Sequence, residues 1–228
     1  MLRQFRASGV HVPTTVTARN FASRNRRHQS EYRKLQLVEA TMDCIDRLGL
    51  SQTTLARIAE RAGVSQGNVV FHFTNKENLL DQTLRHLSDE YRVNWRQALD
   101  DAAPDPRSRL LALVASSFSA RICNRRKISL WYAFWGESRS RPNYMRICGD
   151  NDSAFSSEVL ELCRALEQIS NARLDAATAA LGIEGMIDGL WQNFLLGPSG
   201  SKRADAIRAV NDLIAVIYPE PEAEPAND

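Results

Sequence analysis

The sequence predicts an all-α protein: a small N-terminal three-helix unit carrying a helix-turn-helix, then a larger C-terminal helical bundle. Nearly every segment repeats its apolar residues with helical period, and no stretch alternates them as a strand would. Around Gly63 and Ser65 one helical pattern breaks for only a few residues and then resumes, the spacing of two helices joined by a tight turn. About two thirds of the 228 residues follow that motif, enough for a second apolar core.

Taken in order, Leu35, Val38, Met42, Ile45 and Leu48 share one face of a first helix that ends near Gly49. Thr53 or Thr54 caps a short helix through Ala62, and Ser65 caps another to about Phe73. Asn75 caps a long helix from Lys76 to about Ala102, which Pro104 and Pro106 stop. Further helices are expected near 107–122, 127–137, 142–169, 172–196 and 202–217.

Charge is informative through its distribution. The net charge is only +2, but eight cations (Arg3, Arg6, Arg19, Arg24, Arg26, Arg27, Arg33 and Lys34) crowd the start, where Glu31 is the first acid. That pattern points to an anionic partner. Residues 1–29 are expected to form a flexible basic arm, although a transit peptide has similar composition. Residues 219–228, acidic and proline-rich, are expected to be a disordered tail. The remaining boundaries are 30–75 for the three-helix unit and 76–218 for the bundle. No run of about 18 apolar residues offers a membrane span. Cys44, Cys123, Cys148 and Cys163 show no paired spacing, so packed thiols in a reducing cytoplasm are expected, with no metal and no cofactor. The search for a nucleophile elbow, a phosphate-cradling glycine loop or a paired His/Glu site finds none, so an enzyme is not expected.

The residue types inside the motif follow from its packing. Ala59 is small where the two helices touch. Gly63 suits a left-handed turn, Val64 plugs the angle, and Val69 faces back onto Ile58. The run TTLARIAERAGVSQGNVVFHFTNKENLL resembles the DNA-binding domain of the TetR family of bacterial repressors. That resemblance implies a second motif helix lying in the major groove, with Ser65 at its cap and Gln66, Gly67, Asn68, Val70, Phe71 and His72 on its exposed face. It also implies phosphate contacts from Thr54 and Lys76. The chemistry of the residues fits: the amides of Gln66 and Asn68 suit a base edge, Phe71 a thymine methyl or a sugar, and His72 and Lys76 a phosphate. A core position for Phe71 is the competing reading.

In the larger unit, LWYAFWGESRSRPNYMRIC and GIEGMIDGLWQNFLLG resemble the BetI branch of the same family, whose repressors respond to choline. Trp131 and Trp135 lie four residues apart on one helix face, and Asp188 lies three before Trp191. Trp131, Trp135, Tyr144 and Trp191 could offer aromatic faces to a quaternary ammonium ion, and Glu137 or Asp188 a charge. Tryptophans packed in an ordinary core are the alternative. Gly182, Gly185 and Gly189 would allow close helix approach. The resemblance implies a homodimer built on the last two helices, with Gly185, Gly189, Leu190, Phe194, Val210, Ile214 and Ile217 as interface candidates.

The expected function is a homodimeric DNA-binding transcriptional repressor. It would bind a near-palindromic double-stranded operator and leave it when a small effector, choline or a related cation, binds. The same fold with a different apolar or aromatic effector, or a ligand-independent nucleoid-associated protein, remains the alternative.

Overall fold

The computed structural model describes residues 14–137, 142–197 and 202–219, with side chains from residue 27 onward. It is helical in the order α1 (Thr14–Leu48), α2 (Leu55–Ala62), α3 (Gln66–Phe73), α4 (Lys76–Asp101), α5 (Pro106–Ser117), α6 (Arg125–Glu137), α7 (Pro142–Ile169), α8 (Ala176–Leu196) and α9 (Arg203–Ile217). Among the described residues there is no strand and no helix long and apolar enough to cross a membrane.

Local chemistry sets most boundaries. Thr54, Ser65, Asn75, Asp105 and Asp175 each accept a hydrogen bond from a backbone N–H in the first turn of the helix that follows. Gly63 ends α2 in the left-handed region at φ 66°, and the N–H groups of Gly63 and Val64 close back onto Glu60 and Ala59. The turn is thus a property of the backbone that glycine tolerates, which fixes the angle at which α3 leaves α2. Ile58, Ala59, Val69 and Phe73 bury the inner faces of α2 and α3 against Leu37, Met42 and Ile45 of α1.

The structure departs from expectation in four places. Residues 14–29, expected as a flexible arm, are helical and continue α1, with no glycine or proline to interrupt them; residues 1–13 of that arm lie outside the described residues. The helix expected over 107–122 stops at Ser117. Tightened turns from Phe118 to Cys123 follow, because Phe118, Ile122 and Cys123 are all drawn into the core. The helix expected from Ala172 starts instead at Ala176: Arg173 N–H is held by the Ile217 carbonyl at the end of α9, and Asp175 provides the cap. Val210, Ile214 and Ile217, expected at a dimer interface, point into the subunit's own core, at 0%, 0% and 2% exposure. Their spacing marks the inner face of α9. Most of the expected acidic tail, 220–228, lies outside the described residues.

Four free cysteines, at 44, 123, 148 and 163, are buried, and no group of residues able to hold a metal ion occurs among the described residues. Burial pushes the Cys123 thiol up to about 11 and the Cys148 thiol up to about 12, where each packs as a small apolar side chain.

Candidate functional site

Two surfaces carry the expected chemistry. The first is the outer side of α3. Gln66, Gly67, Val70 and Phe71 are exposed, and Phe71 is 82% exposed, so the core reading of its ring is excluded. At that exposure the Phe71 ring is open to contact from outside the subunit. Asn68 and His72, one turn apart, lie on the flank and are half-buried, so Asn68 does not share the open face expected for it; its Oδ1 is buried without a hydrogen-bond partner. Burial first, then the charges of Lys34 and Arg33, hold the His72 imidazole below its usual range, against a smaller opposing effect of Glu31. Phe71 and His72 meet edge to face at 5.1 Å. Thr54 and Ser65 spend their hydroxyls on helix caps, and Lys76 Nζ lies 3.4 Å from the Leu50 carbonyl.

The second surface is a cleft of about 290 Å³ between α4, α6, α7 and α8, lined by Tyr91, Trp131, Trp135, Phe155, Ile187 and Trp191 and by the polar Asp152, Ser156, Glu184 and Asp188. Of the residues expected from sequence, Trp131, Trp135, Asp188 and Trp191 come together here. Tyr144 does not line the cleft; it is buried in the core on α7. Glu137 also stands outside the lining, at the end of α6.

The aromatic wall is held in place from outside. Trp191 Nε1 donates to the Ser117 carbonyl at 2.9 Å, and Tyr91 pairs with Ser117 Oγ at 3.4 Å. The Trp135 and Trp191 rings are nearly parallel, 12° apart in plane with centroids at 6.4 Å, and Tyr91 meets Trp131 and Trp191 edge-on. These contacts fix the ring faces before any ligand arrives, which lowers the ordering cost of binding.

Among the described residues no ion pair includes Asp152, Glu184 or Asp188. Glu184 accepts from Ser156 Oγ at 2.5 Å. Burial, then the charge of Asp188, pushes Asp152 up to about 6; burial, then Glu184, pushes Asp188 up as well. Both aspartates keep an exposed edge at the cleft mouth, so partial solvation limits the size of the push but not its direction. The charge of Asp188 thus adds to burial at Asp152, and that of Glu184 adds to burial at Asp188, so a positive charge in the cleft would relieve both aspartates.

Sequence reading missed Tyr91, Asp152, Phe155, Ser156, Glu184 and Ile187. A signal was present: Glu184, Ile187, Asp188 and Trp191 fall at i, i+3, i+4 and i+7, and Asp152, Phe155 and Ser156 at i, i+3 and i+4. Each is a buried-type face interrupted by acids, a pattern that a plain core would not carry.

Comparison with known proteins identifies families for both parts of the chain. Residues 37–83 match the family described as bacterial regulatory proteins, tetR family, and residues 106–219 match the BetI-type transcriptional repressor C-terminal family. An HTH-type transcriptional regulator BetI of Paraburkholderia xenovorans is 36% identical over 189 residues, which cover 82% of this chain and 94% of that protein. The protein of the same name from Paraburkholderia phymatum is 36% identical over 195 residues, 85% of this chain and 96% of that one. Among solved structures, a candidate transcriptional regulator from Pseudomonas aeruginosa PAO1 aligns with TM-score 0.71 at 28% identity, covering 82% of this chain and 90% of that one. Another, from Saccharomonospora viridis in complex with choline, aligns with TM-score 0.72 at 24% identity, covering 82% and 98%; at that identity the likeness is one of fold.

Proposed function

The chain belongs to the TetR family of bacterial transcriptional regulators and carries a BetI-type C-terminal domain, and on that premise we propose that it is a homodimeric repressor released from DNA by a small quaternary ammonium cation such as choline. The observation that carries the effector reading is the aromatic cleft with Asp152, Glu184 and Asp188 at its wall and no cationic partner among the described residues. A quaternary ammonium ion donates no conventional hydrogen bond. It is selected by ring faces, each contact contributing about 0.5–2 kcal/mol, together with unpaired carboxylates. Choline is present in the Saccharomonospora viridis relative, which supports the same class of ligand here. Three of the four tryptophans line the cleft, so choline should change the intrinsic tryptophan emission in a saturable way. Tetramethylammonium should compete with it. Emission that is unaltered up to millimolar choline would return the rings to a purely structural role.

On the DNA side, the proposal places Gln66, Gly67, Val70 and Phe71 in the major groove, with Asn68 and His72 at its edge and Thr54, Ser65 and Lys76 near the backbone. Two-fold symmetry then implies a near-palindromic site with half-sites about one helical turn apart, or slightly more. A ligand in the cleft touches α4 through Tyr91, and α4 begins directly after the recognition helix, so filling the cleft alters the spacing of the two readers.

The dimer is proposed to form on the outer faces of α8 and α9. Leu181 and Leu196 of α8 are 75% and 73% exposed, Val216 of α9 is 56% exposed, and Gly185 and Gly189 lie between the two leucines, with Leu190 and Phe194 half-buried beside them. Apolar side chains flanking small residues suit a second helix pair at close approach. Leu181→Glu should turn the dimer into a folded monomer in sedimentation velocity at micromolar concentration. A variant that remains dimeric would place the interface elsewhere.

A further inference from the structure

We propose that Arg126 is the positioning residue that carries the effector signal from the cleft to the helix-turn-helix, through an Asp43 carboxylate that it shares with Arg61. The inference rests on the effector reading above and adds to it a physical connection between α6, α1 and α2.

The first turn of α6 carries Arg125, Arg126 and Lys127 at the positive end of the helix dipole, where each cation costs about 0.3–1 kcal/mol. Each of the three ties α6 to another part of the fold. Lys127 Nζ reaches Glu90 of α4 at 2.5 Å, and Arg125 donates to the Leu195 carbonyl of α8 at 3.2 Å. Arg126 crosses to α1: its Nη2 lies 2.9 Å from Glu39 Oε2 and 2.7 Å from Asp43 Oδ1, and it also reaches the Glu39 carbonyl at 3.1 Å. Ser129, one turn further along α6, lies 2.5 Å from Asp46 Oδ1. Glu39, Asp43 and Asp46 fall at i, i+4 and i+7, so they form one acidic face of α1 turned to α6.

The other oxygen of Asp43 faces the DNA-reading unit. Arg61, in the last turn of α2 and two residues before the Gly63 turn, donates Nε at 2.8 Å and Nη2 at 2.5 Å to Asp43 Oδ2. One carboxylate is therefore clamped by two guanidinium groups, one from α6 and one from the helix-turn-helix. Burial pushes the Asp43 carboxyl up, but the hydrogen bond of Arg61 and the charges of Arg126 and Arg61 outweigh it and hold the group below its usual range. The pairs are not ordinary surface bridges, since the Arg126 and Asp43 side chains are only 31% and 27% exposed. All the polar contacts of Arg126 converge on Nη2 while its Nε is buried without an acceptor. Its aim thus depends on the two acids. His86 Nε2 of α4 lies 3.9 Å from Glu39 Oε1, and the buried Cys44 thiol, raised by burial first and then by the charge of Asp43, adjoins the Asp43 carboxylate.

The same helix presents Trp131 and Trp135 to the cleft one to three turns later. A helix of this length moves as a rod, so a ligand that displaces the two rings displaces Arg126 relative to Asp43. The shared carboxylate then passes the displacement to Arg61 and the base of the recognition helix. This is a contiguous charged network with two arrangements, Asp43 clamped from both sides or from α2 alone.

The test is the ratio of operator dissociation constants with and without choline, measured by fluorescence anisotropy for the wild type, Arg126→Gln and Arg125→Gln. Coupling of the usual size is about 5- to 150-fold. Arg126→Gln should bring the ratio below about 3-fold and leave choline affinity, read from tryptophan emission, within a similar factor. Arg125→Gln should keep the wild-type ratio. An unchanged ratio in Arg126→Gln overturns the proposal. A second measurement needs no effector: hydrogen exchange of the α2–α3 amides in ligand-free protein should quicken in Arg126→Gln and in Asp43→Asn but not in Arg125→Gln. Equal protection in all three overturns the connection. If choline fails to alter wild-type DNA affinity, the effector reading fails, and the exchange result still decides the role of Arg126.

Discussion

Asp152→Asn combined with Asp188→Asn is expected to weaken choline binding by about 10- to 100-fold without unfolding the protein. Asparagine keeps the shape of each side chain and removes its charge. A carboxylate about 5 Å from a cation contributes roughly 3 kcal/mol at an effective dielectric constant of about 20, and solvent at the open mouth reduces that to roughly 1 kcal/mol. Two such losses give a factor of about 30 at room temperature. The aromatic contacts remain and account for the residual affinity. The same carboxylates make binding pH-dependent in a defined direction. Asp152 in the empty cleft holds its proton up to about pH 6, and a bound cation favours the ionised form. Affinity is therefore full above neutrality and declines as pH falls below about 6, because protonation removes the negative charge that attracts the ligand. The double variant should lose this dependence. A wild-type affinity that is level from pH 5 to pH 8 would separate Asp152 from the ligand.

The second large effect is expected on DNA. Gln66 is exposed at the start of α3, immediately after the Ser65 cap, where a side-chain amide can reach two groups on one base edge. Gln66→Ala should lose about 1–3 kcal/mol per half-site, and a symmetric dimer makes the substitution twice, for about 2–6 kcal/mol on the full operator. Binding to unrelated duplex at the same salt should be unaltered, because that affinity comes from phosphate contacts. Equal losses on operator and unrelated DNA would assign Gln66 to the backbone instead of to bases.

The two surfaces differ in how plainly the chain spelled them out. The helix-turn-helix is dictated locally: a small residue at Ala59, a left-handed glycine at Gly63, a cap at Ser65 and an inward Val69 act within a dozen residues, so reading them in order suffices. Helix order was legible for the same reason. The flank position of Asn68 was not, because it depends on how α3 rolls against α2 and α4. The cleft is assembled from four helices far apart in sequence, and helical period alone cannot say which side of α7 meets α8. Trp131, Trp135, Asp188 and Trp191 stood out by composition, whereas Tyr91 and Phe155 look like any core aromatic until the helices are packed. Val210, Ile214 and Ile217 illustrate the converse limit. An apolar stripe on a terminal helix reads the same whether it faces the subunit's own core or a partner, and here the core takes it.

The account stands or falls on whether one molecule both recognises DNA and lets go of it when a cation fills the aromatic cleft. Fluorescence anisotropy on duplex DNA from upstream of its own gene, at near-physiological salt and with and without choline, tests both halves at once. The account predicts binding that exceeds that to unrelated duplex and a dissociation constant that choline raises by about 5- to 150-fold. Equal affinity for any duplex would contradict the operator-specific repressor, and specific binding that choline leaves unaltered would contradict the effector site.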